Sequence, residues 1–142
     1  MFFWFIGTSI ATIWFVFHDK KFAYRPVVAG ALAPDAIEVF LGHAGPLHSL
    51  VTMFAIMAAV MLITYGRKKS RSKMLAVVIG MFLHLVFDGA FTNTKMFWWP
   101  ISGLQFGDYE LPVFDRGLIN IPLEIVGVLL ILWTRKQVKE SA

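Results

Sequence analysis

Residues 74–91 read MLAVVIGMFLHLVFDGAF, an apolar run of 18 residues that contains one histidine and one aspartate. A helix of about 20 apolar residues is long enough to cross the hydrocarbon core of a bilayer. His84 and Asp88 are four residues apart, so a helix places both side chains on one face. Ionisable groups inside an apolar helix normally face the interior of a bundle, because exposing them to lipid is costly. This stretch therefore predicts a membrane-spanning helix with one functional face.

Four further apolar runs flank this stretch and predict an all-α fold. We expect a polytopic membrane bundle of about five apolar helices that forms a single transmembrane domain. The predicted helices cover about 2–17, 26–41, 46–65, 74–91 and 117–134. The second run is short and contains Pro34 and Asp35, so we expect it to be short, or broken at this pair and covered by protein.

The composition is typical of a membrane protein. Hydrophobic residues make up 58% of the chain and charged residues only 15%, whereas soluble domains contain roughly 25% charged residues. Because cysteine is absent, disulfides and thiolate metal ligands are excluded. The net charge of +4 does not indicate nucleic-acid binding, since the basic residues bracket apolar runs and form no basic helix. We expect the lipid bilayer, and not a nucleic acid, as the partner.

The positions of the basic residues predict an orientation. Most Lys and Arg residues fall in three segments, at 20–25, 67–73 and 135–139. If all five runs cross the membrane, the three segments share one side, which the positive-inside rule makes the cytoplasm. We therefore expect the N-terminus outside and the C-terminus in the cytoplasm. The outer segment Phe97-Trp98-Trp99-Pro100 is expected to be an interfacial anchor, with a substrate-contacting lid as the alternative.

Polar residues from several runs are predicted to lie at one depth. In this topology His84 and Asp88 lie in the outer half of the fourth helix, and His48 lies at the outer end of the third. Asp35 and Glu38 lie from the middle to the outer part of the second run. Carboxylates and imidazoles together suit zinc, manganese or iron. We therefore predict a divalent metal site made by Asp35, His48, His84 and Asp88.

Other polar residues keep more than one interpretation. Glu38 and His43 are each a candidate ligand, proton shuttle or loop contact. Glu124 shares a helix face with Arg116, at steps of four residues, and is expected to pair with it. His18 lies in a predicted cytoplasmic loop and is expected to be solvated.

Four short motifs resemble those of a known family. They are Gly30-Ala31-Leu32-Ala33-Pro34-Asp35, His48-Ser49-Leu50, His84-Leu85-Val86-Phe87-Asp88 and Trp98-Trp99-Pro100. In order and rough spacing, from about residue 27 to about residue 102, they resemble the YdjM-like bacterial inner-membrane proteins, which are regarded as metal-dependent hydrolases. The resemblance implies a hydrolytic role and metal binding by the same four residues.

The chain departs from the family pattern before His48. The usual His-Arg-Gly-x-Thr-His-Ser segment has Arg and Thr where this chain has Ala44 and Leu47. If that arginine holds a substrate anion in the family, this protein needs another cation. Arg116 and Lys95 are the candidates, because they are the basic residues predicted outside.

The leading hypothesis is a metal-dependent hydrolase of the bacterial plasma membrane. Its expected substrate is an ester or phosphoester, lipid or lipid-linked, near the outer leaflet, and zinc is favoured over manganese or iron. Glu38, or alternatively His43, is the expected general base, and Arg116 is the expected anion-binding residue. Two rivals stay open: a transport protein for metal ions or protons, and a non-enzymatic membrane partner whose polar cluster fixes helix packing.

Overall fold

A computed structural model describes residues 1–41, 45–104 and 117–141. Within these ranges the chain forms six α-helices and no strand. The helices are α1 (Phe2–Phe17), α2 (Tyr24–Glu38), α3 (Leu50–Ile63), α4 (Lys68–Asp88), α5 (Thr94–Phe97) and α6 (Asn120–Glu140). Short 3₁₀ turns lie at Val39–Leu41, Pro46–His48, Ala90–Thr92 and Gly117–Ile119. The all-α class predicted from the sequence is confirmed.

The two longest helices extend beyond their predicted bounds. α4 begins at Lys68 rather than at about 74, and α6 continues to Glu140 rather than ending at about 134. Lysine, arginine and glutamine are good helix formers, so the basic segments add turns to the apolar ones. α4 ends before Gly89, whose φ of 72° lies in the left-handed region that glycine adopts readily. The predicted continuation of this helix to 91 is therefore wrong.

The second and third helices differ in extent from their predicted ranges: α2 covers Tyr24–Glu38 rather than about 26–41, and α3 covers Leu50–Ile63 rather than about 46–65. α2 is short, as predicted, but it is not broken at Pro34, which is buried within a continuous helix that ends at Glu38. The predicted helix 46–65 is wrong in its first turn, because Pro46–His48 form a 3₁₀ turn. Ser49 then adopts extended backbone and accepts a hydrogen bond from the Thr52 backbone N–H. Serine favours this capping position, so α3 starts only at Leu50.

α2 and α4 form the centre of the bundle and run in the same direction. Near their starts, Val27 and Ala76 belong to one buried cluster. Near their ends, Asp35 approaches His84. α1 and α3 pack against this pair, and α6 packs against α1. The site described below therefore lies where the C-terminal ends of α2 and α4 meet.

α1 runs parallel to α6 and opposite to α4. The Glu124 carboxylate of α6 accepts a hydrogen bond from the Phe3 backbone N–H near the start of α1. Beyond the end of α1, Lys20 donates to the carbonyl of Ser141. The Trp4 indole N–H donates to the carbonyl of Phe87, near the end of α4. Within the described residues, α1 and α6 thus run opposite to α2 and α4, and the three basic segments lie at the end opposite to Asp35.

Two helix pairs approach so closely that only glycine fits at the contact. A Cβ atom on Gly80 of α4 would overlap the Val27 carbonyl oxygen of α2, and Gly30 has no room for a Cβ either. In the same way, a Cβ atom on Gly7 of α1 would overlap the Gly127 carbonyl oxygen of α6, and one on Gly127 would overlap the backbone of Phe3. Small residues at helix contacts are typical of bundles in membranes, where close backbone approach replaces the hydrophobic effect.

The outer surface of the bundle is strongly apolar. Lys68–Asp88 and Gly117–Glu140 are long and apolar enough to cross a membrane, whereas the apolar helices α1 and α3 are shorter. On α6, Ile125, Leu129 and Leu132 are each more than half exposed. Soluble monomers rarely expose contiguous apolar surface of this extent. Two helices thus meet the requirement for spanning, and five crossings stay a prediction.

We expect Gly80→Ala to destabilise the protein by about 2 kcal/mol, the middle of the range for overpacking a tight contact. In an isolated helix the same change would stabilise by about 1 kcal/mol, so the sign of the effect is diagnostic. Denaturant unfolding in detergent, followed by far-UV circular dichroism, measures it. The control Ala59→Val enlarges an exposed position of α3 and should change stability by less than about 0.5 kcal/mol. A stabilised Gly80→Ala variant would contradict the α2–α4 contact.

Candidate metal centre

Three potential metal ligands meet where α2 and α4 end. Asp35 lies on the last turn of α2, His48 closes the 3₁₀ turn before α3, and His84 lies near the end of α4. One ligand atom from each residue lies within 4.8 Å of the other two. Both histidines are fully buried, and the Asp35 side chain is 19% exposed. The structure thus brings together residues that are 13 to 49 positions apart in the sequence, and the group can hold a metal ion.

The orientation of His84 is set by a backbone carbonyl. Its Nδ1 atom lies 2.8 Å from the carbonyl oxygen of Ala31, which can only accept, so Nδ1 donates. In the neutral ring, Nε2 therefore carries the lone pair, and it lies 3.3 Å from Asp35 Oδ1. The ring of Phe5 packs on His84 with centroids 4.0 Å apart. α1 thereby closes one side of the group.

The orientation of His48 is set by a carboxylate. Its Nδ1 atom lies 2.6 Å from Oε2 of Glu38, and its Nε2 atom faces Asp35 Oδ1 and Asp88 Oδ2, each at 3.7 Å. Within the described residues, neither Nε2 of His48 nor Nε2 of His84 makes a hydrogen bond. Both imidazoles therefore direct an Nε2 atom at the same small space.

Glu38 is fully buried and accepts three hydrogen bonds. The backbone N–H groups of Gly45 and Leu47 donate to its two oxygens at 2.6 Å each, and His48 donates the third bond. A Cβ atom on Gly45 would lie only 3.2 Å from Oε1, so a glycine suits this position. A carboxylate that holds a ligating imidazole fixes its tautomer and raises its basicity. This geometry favours an orienting role for Glu38 over the general-base role predicted from the sequence.

Asp88 adjoins the three-residue group through His48. Its side chain is buried, on the same helix as His84. The group whose ligand atoms all lie within 4.8 Å of one another consists of Asp35, His48 and His84. Asp88 is therefore a candidate fourth ligand at the edge of the group.

Glu124 does not belong to the ligand group and contacts the start of α1. Glu124 accepts hydrogen bonds from the backbone N–H groups of Phe3 at 2.7 Å and Trp4 at 3.3 Å. A carboxylate at this place satisfies N–H groups of the first turn and stabilises the helix dipole of α1. His43 and Arg116 lie outside the described residues, so the predicted general base, the predicted anion-binding residue and the Glu124–Arg116 pair stay predictions.

The Trp-Pro segment lies beside His48. The hydroxyl of Ser49 lies within hydrogen-bond distance of the carbonyl oxygens of Phe97 and Trp99. Met96 is buried in a cluster that includes Leu85 of α4. The same Ser49 side chain caps α3, a role that the sequence analysis missed although a serine before an apolar run is the usual signal of a helix cap. The segment therefore covers the end of the bundle that contains the group.

The donor set fits a divalent cation. Two imidazole nitrogens and a carboxylate oxygen suit borderline ions such as zinc. Ligands about 2.0–2.1 Å from a tetrahedral zinc ion lie roughly 3.3–3.4 Å apart, close to the 3.3 and 3.7 Å between Asp35 Oδ1 and the two Nε2 atoms. Buried polar atoms without a hydrogen bond are costly, and a bound ion would remove that cost.

The chain matches no protein-family model, no curated protein and no solved structure. The resemblance to the YdjM-like family therefore stays a prediction that rests on the four sequence motifs.

We expect Glu38→Ala to destabilise the protein by about 3–5 kcal/mol, as when one partner of a buried charged pair is removed. The change leaves two backbone N–H groups and the His48 imidazole without their acceptor. Glu38→Gln keeps one carbonyl acceptor and should cost less. Glu140→Ala is the control, because Glu140 is exposed and its ion pair with Lys136 lies at the surface, so its effect should stay below about 0.5 kcal/mol. Denaturant unfolding measures the free energy of unfolding of each variant. Equally small losses of this free energy in Glu38→Ala and Glu140→Ala would contradict the orienting role of Glu38.

Proposed function

We propose that this protein is a metal-dependent hydrolase of the bacterial plasma membrane that acts on an ester or phosphoester of a lipid or lipid-linked molecule. The observation that carries the proposal is the group of Asp35, His48 and His84, whose ligand atoms lie within 4.8 Å of one another at the end of an apolar bundle. A buried set of two imidazoles and a carboxylate is a typical donor set for a catalytic divalent ion.

The residues of the group divide into ligands and positioning residues. Asp35, His48 and His84 would hold the ion, with Asp88 as the fourth candidate. The Ala31 carbonyl and the Glu38 carboxylate keep both rings in the tautomer that leaves Nε2 open to a cation. Zinc suits these donors best, and manganese and iron are the alternatives. When bound, a divalent ion supplies Lewis acidity toward an ester or phosphoester oxygen and makes water a stronger nucleophile at neutral pH.

The exposure of the group supports a lipid substrate. Asp35 is 19% exposed, whereas the two histidines are fully buried, so a substrate approaches from the Asp35 side. Three of the residues that follow Asp35 are apolar and exposed: Ile37 by 52%, Val39 by 53% and Phe40 by 91%. An apolar surface beside a polar group suits a molecule with an acyl chain and a polar head.

The helix directions support a site near the outer leaflet. The ligand group lies at the ends of α2 and α4, and the basic segments lie at their starts and at the end of α6. If the basic end faces the cytoplasm, the group faces the outer leaflet, with the N-terminus outside and the C-terminus inside.

A structural, non-enzymatic role is the second candidate. Protonated histidines at 3.3 to 3.7 Å from Asp35 would form ion pairs and fix helix packing without a metal. A transport path receives less support, because the buried ionisable side chains of the described residues all lie at one end of the bundle. They are Glu38, His48, His84 and Asp88.

The metal content of purified protein separates these candidates. After incubation with zinc and removal of free ion, we expect about one zinc per chain in the wild type by elemental analysis, because three ligands plus water complete a site. His84→Ala should retain less than roughly a tenth of that amount, since two ligands bind zinc weakly. The matched control His18→Ala removes an exposed histidine and should retain the full amount.

Circular dichroism must show that His84→Ala is folded. A wild type that holds no zinc, manganese or iron would leave the structural role as the explanation of the group.

Hydrolysis tests the enzymatic part. In mixed micelles with short-chain carboxylester and phosphoester lipids, we expect turnover that chelation abolishes and added zinc restores. Asp35→Asn should lower kcat/KM by about a hundredfold or more, because removal of a ligand carboxylate impairs both the ion and its alignment. Zinc uptake into proteoliposomes by protein that binds zinc but turns over no lipid would instead support transport.

A further inference from the structure

A cationic cavity lies at the opposite end of the bundle from the candidate metal centre. The connection between α1 and α2 meets the last turns of α6 around a volume of about 350 Å³. Three cations line this cavity, which we call the basic pocket: Lys20 of the connection, and Arg135 and Lys139 of α6. The rest of its wall is Ile10, Tyr24, Thr134 and Val138.

The fold brings these cations together from distant parts of the sequence. Arg135 and Lys139 are four residues apart, so α6 presents them on one face. The ammonium group of Lys20 donates to the carbonyl of Ser141, which joins the connection to the end of α6. The pocket therefore depends on the parallel packing of α1 and α6, and not on one run of basic residues.

The charge of the basic pocket is not balanced by the described part of the chain. Neither Arg135 nor Lys139 forms an ion pair with a described carboxylate, whereas the neighbouring Lys136 pairs with Glu140 at 3.6 Å. Asp19 is the nearest acid in the connection, and its Oδ1 atom accepts a hydrogen bond from the backbone N–H of Lys21. The pocket thus keeps a net positive charge that suits an anion.

The other polar groups of the basic pocket are committed within the protein. The Thr134 hydroxyl donates to the carbonyl of Leu130 at 2.8 Å, and the Tyr24 hydroxyl donates to the carbonyl of Asp19 at 3.0 Å. An anion in the pocket would therefore be bound by Lys20, Arg135 and Lys139. Most of the surface inside the pocket is apolar, and Val138 is partly buried there. A small inorganic anion would leave this apolar wall unused.

We propose that the basic pocket binds the headgroup of an anionic phospholipid. The phosphate lies among Lys20, Arg135 and Lys139, and the glycerol and upper acyl carbons lie against Ile10 and Val138. Basic pockets between helices on the cytoplasmic side of a membrane recognise anionic headgroups in this way, because that leaflet supplies negative charge. The inference shares the membrane location of the proposed function but needs neither the metal nor hydrolysis.

The start of α4 offers a matched control. A surface groove there is lined by Arg67, Lys68, Lys69, Ser70 and Lys73, which all belong to one segment and include no apolar residue. It has four cations, one more than the basic pocket, but lacks a second element beside them. If binding is only a general attraction to an anionic surface, loss of charge in either segment should weaken lipid binding equally. If the basic pocket is a specific site, only loss of its own cations should weaken binding.

The experiment is a titration of the detergent-purified full chain with dioctanoyl phosphatidylglycerol, followed by native mass spectrometry. We expect one lipid per wild-type chain. The double variant Arg135→Gln and Lys139→Gln should bind it at least tenfold more weakly, because each basic residue contributes about 1 kcal/mol, or roughly fivefold, to anionic-lipid binding. Lys68→Gln with Lys69→Gln removes the same charge and should stay within about twofold of the wild type. Dioctanoyl phosphatidylcholine should bind at least tenfold more weakly than the anionic lipid.

Two checks keep the result interpretable. Arg135→Lys keeps the charge and should stay within about threefold of the wild type, which separates loss of charge from loss of fold. An unchanged zinc content of the Arg135→Gln and Lys139→Gln variant keeps this test independent of the metal centre.

Three results would overturn the proposal. They are equal weakening in both double variants, equal affinity for the anionic and zwitterionic lipids, and displacement of the lipid by millimolar inorganic phosphate, which would identify a soluble anion as the ligand.

Discussion

The close crossing of α2 and α4 sets the geometry of the whole bundle. Gly30 and Gly80 leave no room for a side chain between the two backbones. Because the helices touch there, the carbonyl of Ala31 reaches the His84 ring, and Asp35 reaches the same ring one turn later. A larger residue at the crossing would move the helices apart and separate these atoms. The site is thus a consequence of backbone contact little more than one helical turn away from it.

Glu38 links the local turn to the candidate metal centre. Its carboxylate binds two backbone N–H groups of residues 45–47 and the ring of His48, so one buried charge shapes the turn and orients a ligand. A site held in this way is preorganised, since the rings are already in place before a cation binds. α1 covers one side of the group, because Phe5 packs on His84, and it contacts α6 closely at Gly7. The two ends of the bundle then differ in chemistry: carboxylates and imidazoles at one, cations at the other.

The existence of the helices and of a common polar cluster was predictable from the sequence. The ends of the helices and the role of each residue in the cluster were less predictable. Ionisable residues in apolar helices must turn inward, so the spacing of His84 and Asp88 and the position of Asp35 were sufficient to predict a common cluster. Helix ends were less predictable, because the basic segments are themselves helix formers and Ser49 competes with Pro46 as the start of α3. The role of Glu38 was not predictable, since it depends on which side of α2 faces the turn at 45–48.

Hydropathy and charge are local properties of each segment, so the amino-acid order was enough to predict an all-α chain of apolar helices with basic segments at one end and buried acids and imidazoles at the other. Only the tertiary structure decided which of those polar atoms share a space. Ligand atoms of residues 13 to 49 positions apart in the sequence lie within 4.8 Å of one another. They do so because α2 and α4 cross at glycines and the Glu38 carboxylate holds the turn before α3. Such distances arise from packing between segments, and the sequence of one segment does not encode them.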